Sequence, residues 1–181
     1  MDWMDGFVLD VEDRKYSHCH LLRLLLSFAP SQKELKLMDI DSEQLAIPDT
    51  PYKCRVKMPA TEFQRIVRDL QVLGDTVTLS CTKEGLRFSV SGTIGTGNIL
   101  MRANAAPEKE DEQVVIDMEE PVELNFALRY LNFFTKATPL SGSVIIAMSP
   151  EVPVVVEYPI GDVGHVKFFL APKIEEDEDG Q

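Results

Sequence analysis

A chain of 181 residues in which 44% are hydrophobic has enough apolar side chains to bury an ordinary core without staples. Its 30 acidic against 18 basic residues give a formal net charge of -12, which excludes a uniformly basic nucleic-acid-binding surface but leaves room for a segregated cationic patch. No apolar run approaches the roughly 18 residues that cross a bilayer, no basic-then-apolar leader opens the chain, and Cys19, Cys54 and Cys81, lacking CxxC spacing, read as free thiols of a reducing compartment.

Residues 1–34 mix acids, a His18-Cys19-His20 triplet and a leucine run, and fit no clean strand or helix template. The triplet has no second ligand pair at zinc spacing, so no metal and no cofactor is expected. Residues 35–52 are polar with spaced Leu, Ile and Met, and Pro48 and Pro51 favour an extended connector. From residue 53 to 174 the pattern becomes regular. "YKCRVKMP" alternates like a strand, and 59–73 then carries Phe63, Ile66, Val67 and Leu70 at amphipathic-helix spacing, with Gly74 ending it. Three strand-like runs follow, "TVTLSCT", "LRFSVSG" and "NILMRA", the first two parted by the turn "KEG".

The order then repeats: strand "VELNF", a helix over 126–138, and strands "SVIIAMS", "VPVVVEY" and "HVKFFLA". A duplicated βαβββ unit predicts an α+β domain of antiparallel sheets with both helices on one face. The acids at 175–179 predict a disordered, solubilising tail.

Each helix has a polar stripe. On the second it is Asn125, Arg129, Asn132 and Lys136, with no acid among them, while Leu128, Leu131, Phe134 and their neighbours are expected to be buried. On the first it is Thr61, Arg65 and Arg68. Any amphipathic helix needs a solvated face, and lysine or arginine supplies one. Two helices presenting cations on one side of an acidic protein also fit a shallow lane for a polyanion, read through phosphates without sequence preference. "GTIGTG" is not a dinucleotide fingerprint and precedes a strand, so it reads as a glycine-rich hairpin. His165 is a lone strand histidine. GxSxG, HExxH and P-loop motifs are absent, so no catalytic residues are assigned and the chain is not expected to be an enzyme.

"KLMDIDSEQLAIP", "VKMPATEFQRIVRDL", "SCTKEGLRFSVSG", "FALRYLNFFTKATPLS", "VPVVVEY" and "LAPKIEEDED" together resemble the eukaryotic sliding clamp family, proliferating cell nuclear antigen, from about Leu35 to the C-terminus. The resemblance covers the family's connector and second domain; the first domain has no counterpart here, and 1–34 resembles no part of the family.

The resemblance implies the DNA-clamp fold, a nuclear location, and a processivity factor for DNA polymerases in replication and repair. The implied partners are double-stranded DNA, DNA polymerase and other PIP-box proteins, and the clamp loader, with no membrane partner. Family rings are homotrimers of two-domain subunits, so a ring built from this chain alone is not assumed. It implies that Lys57, Arg65, Arg68, Arg129 and Lys136 line the DNA-facing surface. It further implies that Leu45, Ile47, Tyr52, Pro153, Phe169, Ala171 and Pro172 form the partner-peptide pocket. Lys83 matches the lysine that receives ubiquitin or SUMO, and Ile94, Asn98, Ile99 and Arg102 fall in the edge strand at the subunit interface. The alternative expectation is a truncated half-clamp module or relic that binds peptides or clamp subunits without encircling DNA.

Overall fold

The computed structural model describes the backbone of residues 7–12 and, in full, residues 51–104, 113–150 and 152–173. Ten strands form two antiparallel sheets among these residues. The first sheet has the order β1-β10-β9-β8-β2-β6, with β1 at Phe7–Glu12, β2 at Cys54–Pro59, β6 at Val115–Met118, β8 at Ser143–Met148, β9 at Val154–Ile160 and β10 at Gly164–Leu170. The second has the order β5-β4-β3-β7, with β3 at Thr76–Thr82, β4 at Gly85–Ser91, β5 at Thr96–Met101 and β7 at Val122–Ala127. The repeat seen in the sequence is present: β2, α1 and β3–β5, then β7, α2 and β8–β10, where α1 is Ala60–Gln71 and α2 is Leu128–Phe134.

Helix α1 forms as its spacing predicts. Ala60, Phe63, Ile66, Val67 and Leu70 are buried on one side, while Thr61, Arg65, Arg68 and Asp69 face outward. Phe63 reaches Phe88 on β4 with ring centroids 6.4 Å apart. Helix α2 packs toward the other sheet: Phe134 stacks on Phe168 of β10 at 4.6 Å, and Tyr158 meets Phe168 edge-on at 6.1 Å. The two helices lie side by side, joined where the Gln64 side-chain amide donates to the Thr135 carbonyl at 3.2 Å. One helix layer thus closes a core shared by both sheets.

The second helix is shorter than its pattern predicts. Phe126 and Ala127 belong to β7, and after Phe134 the chain tightens into a 3-10 turn over Thr135–Leu140. Pro139 has no N–H to continue an α-helical ladder, and the Thr135 hydroxyl donates to the Asn132 carbonyl at 2.8 Å, so the backbone winds into the tighter form. Asn125 consequently leaves the helical stripe: it sits on β7 opposite Thr78, whose hydroxyl donates to its side-chain carbonyl at 2.7 Å.

Two strands carried no clear alternation in the sequence. β6 is a four-residue edge strand held by β2, and β1 lies in a stretch that fitted no template, paired along β10. The run read as "NILMRA" starts earlier, at Thr96, and ends at Met101. The glycine-rich segment before it is a tight hairpin in which Gly92 and Gly95 exchange backbone hydrogen bonds of 3.0 and 3.3 Å. A methyl group at Gly92 would collide with the Leu73 carbonyl, which explains why the hairpin has glycine there.

Cys54 and Cys81, expected as free thiols, form a disulfide that ties β2 of one sheet to β3 of the other. Spacing could not reveal this, because the bond joins residues 27 apart that only the stacking of two sheets brings together. Both are fully buried. Closing a loop of that length removes entropy from the unfolded chain equivalent to about 3 kcal/mol. A Cys81→Ala chain, or the wild type in strong reductant, is expected to unfold at clearly lower urea than the oxidised protein. Coincident oxidised and reduced curves would contradict that role. Cys19 and the histidines flanking it lie outside the described residues.

Burial pushes the Tyr158 phenol well above its ordinary range, with the Thr138 hydroxyl acting weakly in the opposite sense. Burial also raises Tyr52, against the pull of Arg55. A raised tyrosine is neutral in the folded state while the unfolded chain ionises near pH 10, so its contribution is complete below about pH 10 and fades as pH rises toward the folded value. Urea midpoints are therefore expected to fall steeply only above about pH 10, and less steeply in Tyr158→Phe. Equal slopes in the two proteins would show that Tyr158 does not drive the alkaline loss.

Candidate nucleic-acid interface

The side of the helix layer turned from the core is where the cations gather. On α1, Arg65 and Arg68 are exposed, but each has an acidic neighbour. Arg65 donates to the Glu62 carboxylate at 2.6 and 3.2 Å, a contact that holds its guanidinium even more firmly protonated, and Arg68 stands 3.7 Å from Asp69. The net charge of α1 is thus locally cancelled. Helix α2 and the 3-10 turn after it differ, with Arg129 on the helix and Lys136 on the turn both exposed and no acidic residue between Leu128 and Leu140.

Aromatic rings hold these two cations. The Arg129 guanidinium carbon lies 4.7 Å from the centre of the Tyr130 ring and one of its nitrogens donates to the Tyr130 hydroxyl at 3.0 Å. The Lys136 ammonium lies 4.7 Å from the centre of the Phe133 ring. Phe133 is 49% exposed, although the aromatic run reads as uniformly buried in the sequence. Its neighbour Phe134 takes the core position, since Leu128, Leu131 and Phe134 follow one another every three residues along the buried side. The signal for Phe133 was available: it lies four residues after Arg129 and three before Lys136, on their stripe. An apolar ring beside each cation restricts its motion and lowers the ordering cost of meeting a phosphate.

Lys57 does not join this group. Its neighbours Val56 and Met58 are buried on the helix side of β2, along the row Val56, Ile146, Val156 and Phe168 that ends at the contact with Phe134. Strand alternation sets Lys57 on the opposite face, in the row with Ile145, Glu157 and Lys167. That outer face also carries Ala147, Val155 and Phe169, a buried apolar cluster against which half-buried Tyr52 packs. Pro153 is buried beside β9, and Ala171 and Pro172 are half-buried just after β10. Leu45 and Ile47 lie outside the described residues. Cationic stripe and apolar cluster thus occupy opposite faces.

Lys83 is exposed in the turn between β3 and β4 and borders an open cleft of about 540 Å³ shared with Glu84, Arg87 and Glu123. On β5 Asn98 is exposed and Ile99 half-buried; Ile94, 77% exposed, sits in the hairpin before it, and Arg102 follows its last residue. β5 has one neighbour, β4, so its other edge carries backbone groups unpaired by any described strand. Among the described residues no three His, Cys, Asp or Glu side chains converge as a metal site, and no helix is long and apolar enough to cross a membrane.

Compared with known families, residues 46–173 match the family model described as "Proliferating cell nuclear antigen, C-terminal domain".

Proposed function

The chain belongs to the proliferating cell nuclear antigen family of sliding clamps, a family of non-enzymatic scaffolds, and from that membership we propose that it contacts duplex DNA through α2 as part of a replication and repair clamp in the nucleus. The observation that supports this most is the pair Arg129 and Lys136, each braced by a ring and without an acidic partner among the described residues, on a protein of net charge -12. Cations on a shallow outer helix face meet phosphates first, and phosphate contacts carry no sequence information. Arg65 and Arg68 extend the lane on α1 with weaker net charge. A processivity factor needs this kind of contact, because a clamp that gripped bases could not slide.

Fluorescence anisotropy with two fluorescein-labelled 30-base-pair duplexes of unrelated sequence tests the contact. Equal affinities for both duplexes, falling steeply between about 50 and 200 mM salt, are expected. Absence of binding at the lowest salt, or affinity indifferent to salt, would overturn it.

The outer apolar cluster of Ala147, Val155 and Phe169 with Tyr52 favours a second reading, a module that docks PIP-box peptides of polymerases and other clamp partners without encircling DNA. Its aromatic and aliphatic floor offers an apolar anchor site, the usual centre of a peptide interface. A labelled PIP-box peptide that binds the chain while duplex DNA does not would establish this reading over the first; failure of the peptide to bind would remove it.

A further inference from the structure

After β10 the chain leaves the first sheet and is anchored on the second. The Lys173 N–H donates to the Asn125 carbonyl of β7 at 2.7 Å, and the Lys173 ammonium donates to the Thr76 hydroxyl of β3 at 2.6 Å. Both partners border the start of α2: Asn125 precedes Leu128 by three residues, and the Leu128 N–H donates at 2.8 Å to the carbonyl of Asp75, the neighbour of Thr76. Lys173 is therefore fixed at the end of the second sheet from which α2 departs.

Five consecutive acids, Glu175–Asp179, begin two residues beyond this anchor and lie outside the described residues. Chain geometry limits how far from it they can stand. At about 3.5 Å per residue, Glu175 stays within about 7 Å of Lys173 and Asp179 within about 21 Å. Arg129 is four residues from Asn125, hence within about 15 Å of it, and Lys136 lies about 10–14 Å further along α2 and its 3-10 turn. The acids reach Arg129 with slack, and the last of them reaches Lys136 once both side chains are extended.

Charge selects the surface they meet. Arg65 and Arg68 have Glu62 and Asp69 beside them, Lys53 stands 3.3 and 3.6 Å from Glu119 and Glu120, Arg87 is 3.7 Å from Glu84, and Lys167 is paired across the sheet with Glu157. Arg129 and Lys136 have rings beside them and no acid in the segment from Leu128 to Leu140. Within reach of the anchor they are the locally unbalanced positive charge, and the acidic remainder of the surface repels a run of five carboxylates.

We propose that Glu175–Asp179 occupy the outer face of α2 and its 3-10 turn, where their carboxylates take the place of DNA phosphates on Arg129 and Lys136. The inference rests on the DNA contact proposed above and adds its regulation. So short a tether holds the acids at an effective concentration in the millimolar range, enough to exclude weakly bound anions. A duplex presents phosphates along its whole length and displaces them. Because the tail already stands in for counterions on α2, its displacement replaces part of the counterion release that accompanies DNA binding, and the salt dependence of the affinity becomes shallower.

The first test needs no DNA. The full-length chain is treated with a water-soluble carbodiimide, which joins a carboxylate directly to a lysine amine, and links within one chain are identified by mass spectrometry of an equal mixture of unlabelled and nitrogen-15 protein. Links from Glu175–Asp179 to Lys136 are expected at low salt and should disappear near 1 M salt, where charges are screened within about 3 Å. Links to Lys57, Lys83 or Lys167 without any to Lys136 would overturn the proposal, as would no links at all. The second test compares duplex binding by anisotropy. Replacing the five tail acids with their amides, Glu175→Gln, Glu176→Gln, Asp177→Asn, Glu178→Gln and Asp179→Asn, should tighten binding at least threefold and steepen its salt dependence. The same charge change at five exposed acids elsewhere, Asp117→Asn, Glu119→Gln, Glu120→Gln, Glu123→Gln and Asp162→Asn, should do clearly less. Equal gains from the two sets would reveal a general charge effect and overturn the proposal. Absence of duplex binding by every variant would remove the DNA contact itself, while the cross-link would still decide where the acids lie.

Discussion

Reversing the cations of α2 and the 3-10 turn after it, Arg129→Glu with Lys136→Glu, is expected to raise the dissociation constant for duplex DNA at least tenfold at low salt and to reduce the slope of log affinity against log salt by about two. Reversing Arg65 and Arg68 on α1 is expected to cost clearly less. The difference follows from local charge balance: Glu62 and Asp69 already lie against the α1 arginines, at 2.6 and 3.7 Å, and partly cancel their field at a passing phosphate. No acid on α2 does the same. Because all four side chains are exposed, these substitutions should leave the urea midpoint almost unchanged. Equal losses from the two helices would mean that net charge alone governs binding, and no loss from α2 would end the case for it as the contact surface.

Replacing Phe134 with alanine is expected to destabilise the domain by about 3–5 kcal/mol, against a total stability of about 5–15 kcal/mol for proteins of this kind. Phe134 is fully buried and stacks on Phe168 with an interplanar angle of 16°, so its loss opens a cavity where α2 seats on the first sheet. Melting should fall by roughly 10–15 °C. Phe133→Ala, one residue earlier, should cost less than about 1 kcal/mol because that ring is half in solvent. Thermal and urea unfolding of the two variants side by side provide the check. Comparable losses would show that the inward and outward assignments of these adjacent rings are wrong.

The duplicated βαβββ order was legible because period-2 and period-3.6 patterns are local, and each strand and helix of the repeat carried its own. The length of α2 was not, since the apolar pattern runs on through Phe126 and past Phe134 while the backbone changes type at both ends. β6 and β1 were illegible for a related reason: short edge strands are held by one neighbour, and their sequences need not alternate strictly.

The cationic residues could be identified in the sequence, but their grouping depended on the fold. Spacing alone placed Arg65, Arg68, Arg129 and Lys136 on outward stripes, and resemblance added Lys57, which the register of β2 with β8 sets on the opposite face of the sheet. Which of these charges act together is a question of which faces adjoin, and adjacency of faces is a long-range property. The same holds for the disulfide between Cys54 and Cys81, the seating of Tyr52 against Phe169, and the register that sets Asp10 opposite Lys167.

By itself the sequence determined the family, the repeated unit, the amphipathic faces and the supply of cations, because each is written in residue types at short spacing. The tertiary structure alone decided that Lys57 lies on the sheet face opposite the helices, that Cys54 meets Cys81, and which strand closes the β10 edge. Those outcomes depend on distances between residues far apart in the chain, and such distances exist only once the two sheets and the helix layer have packed.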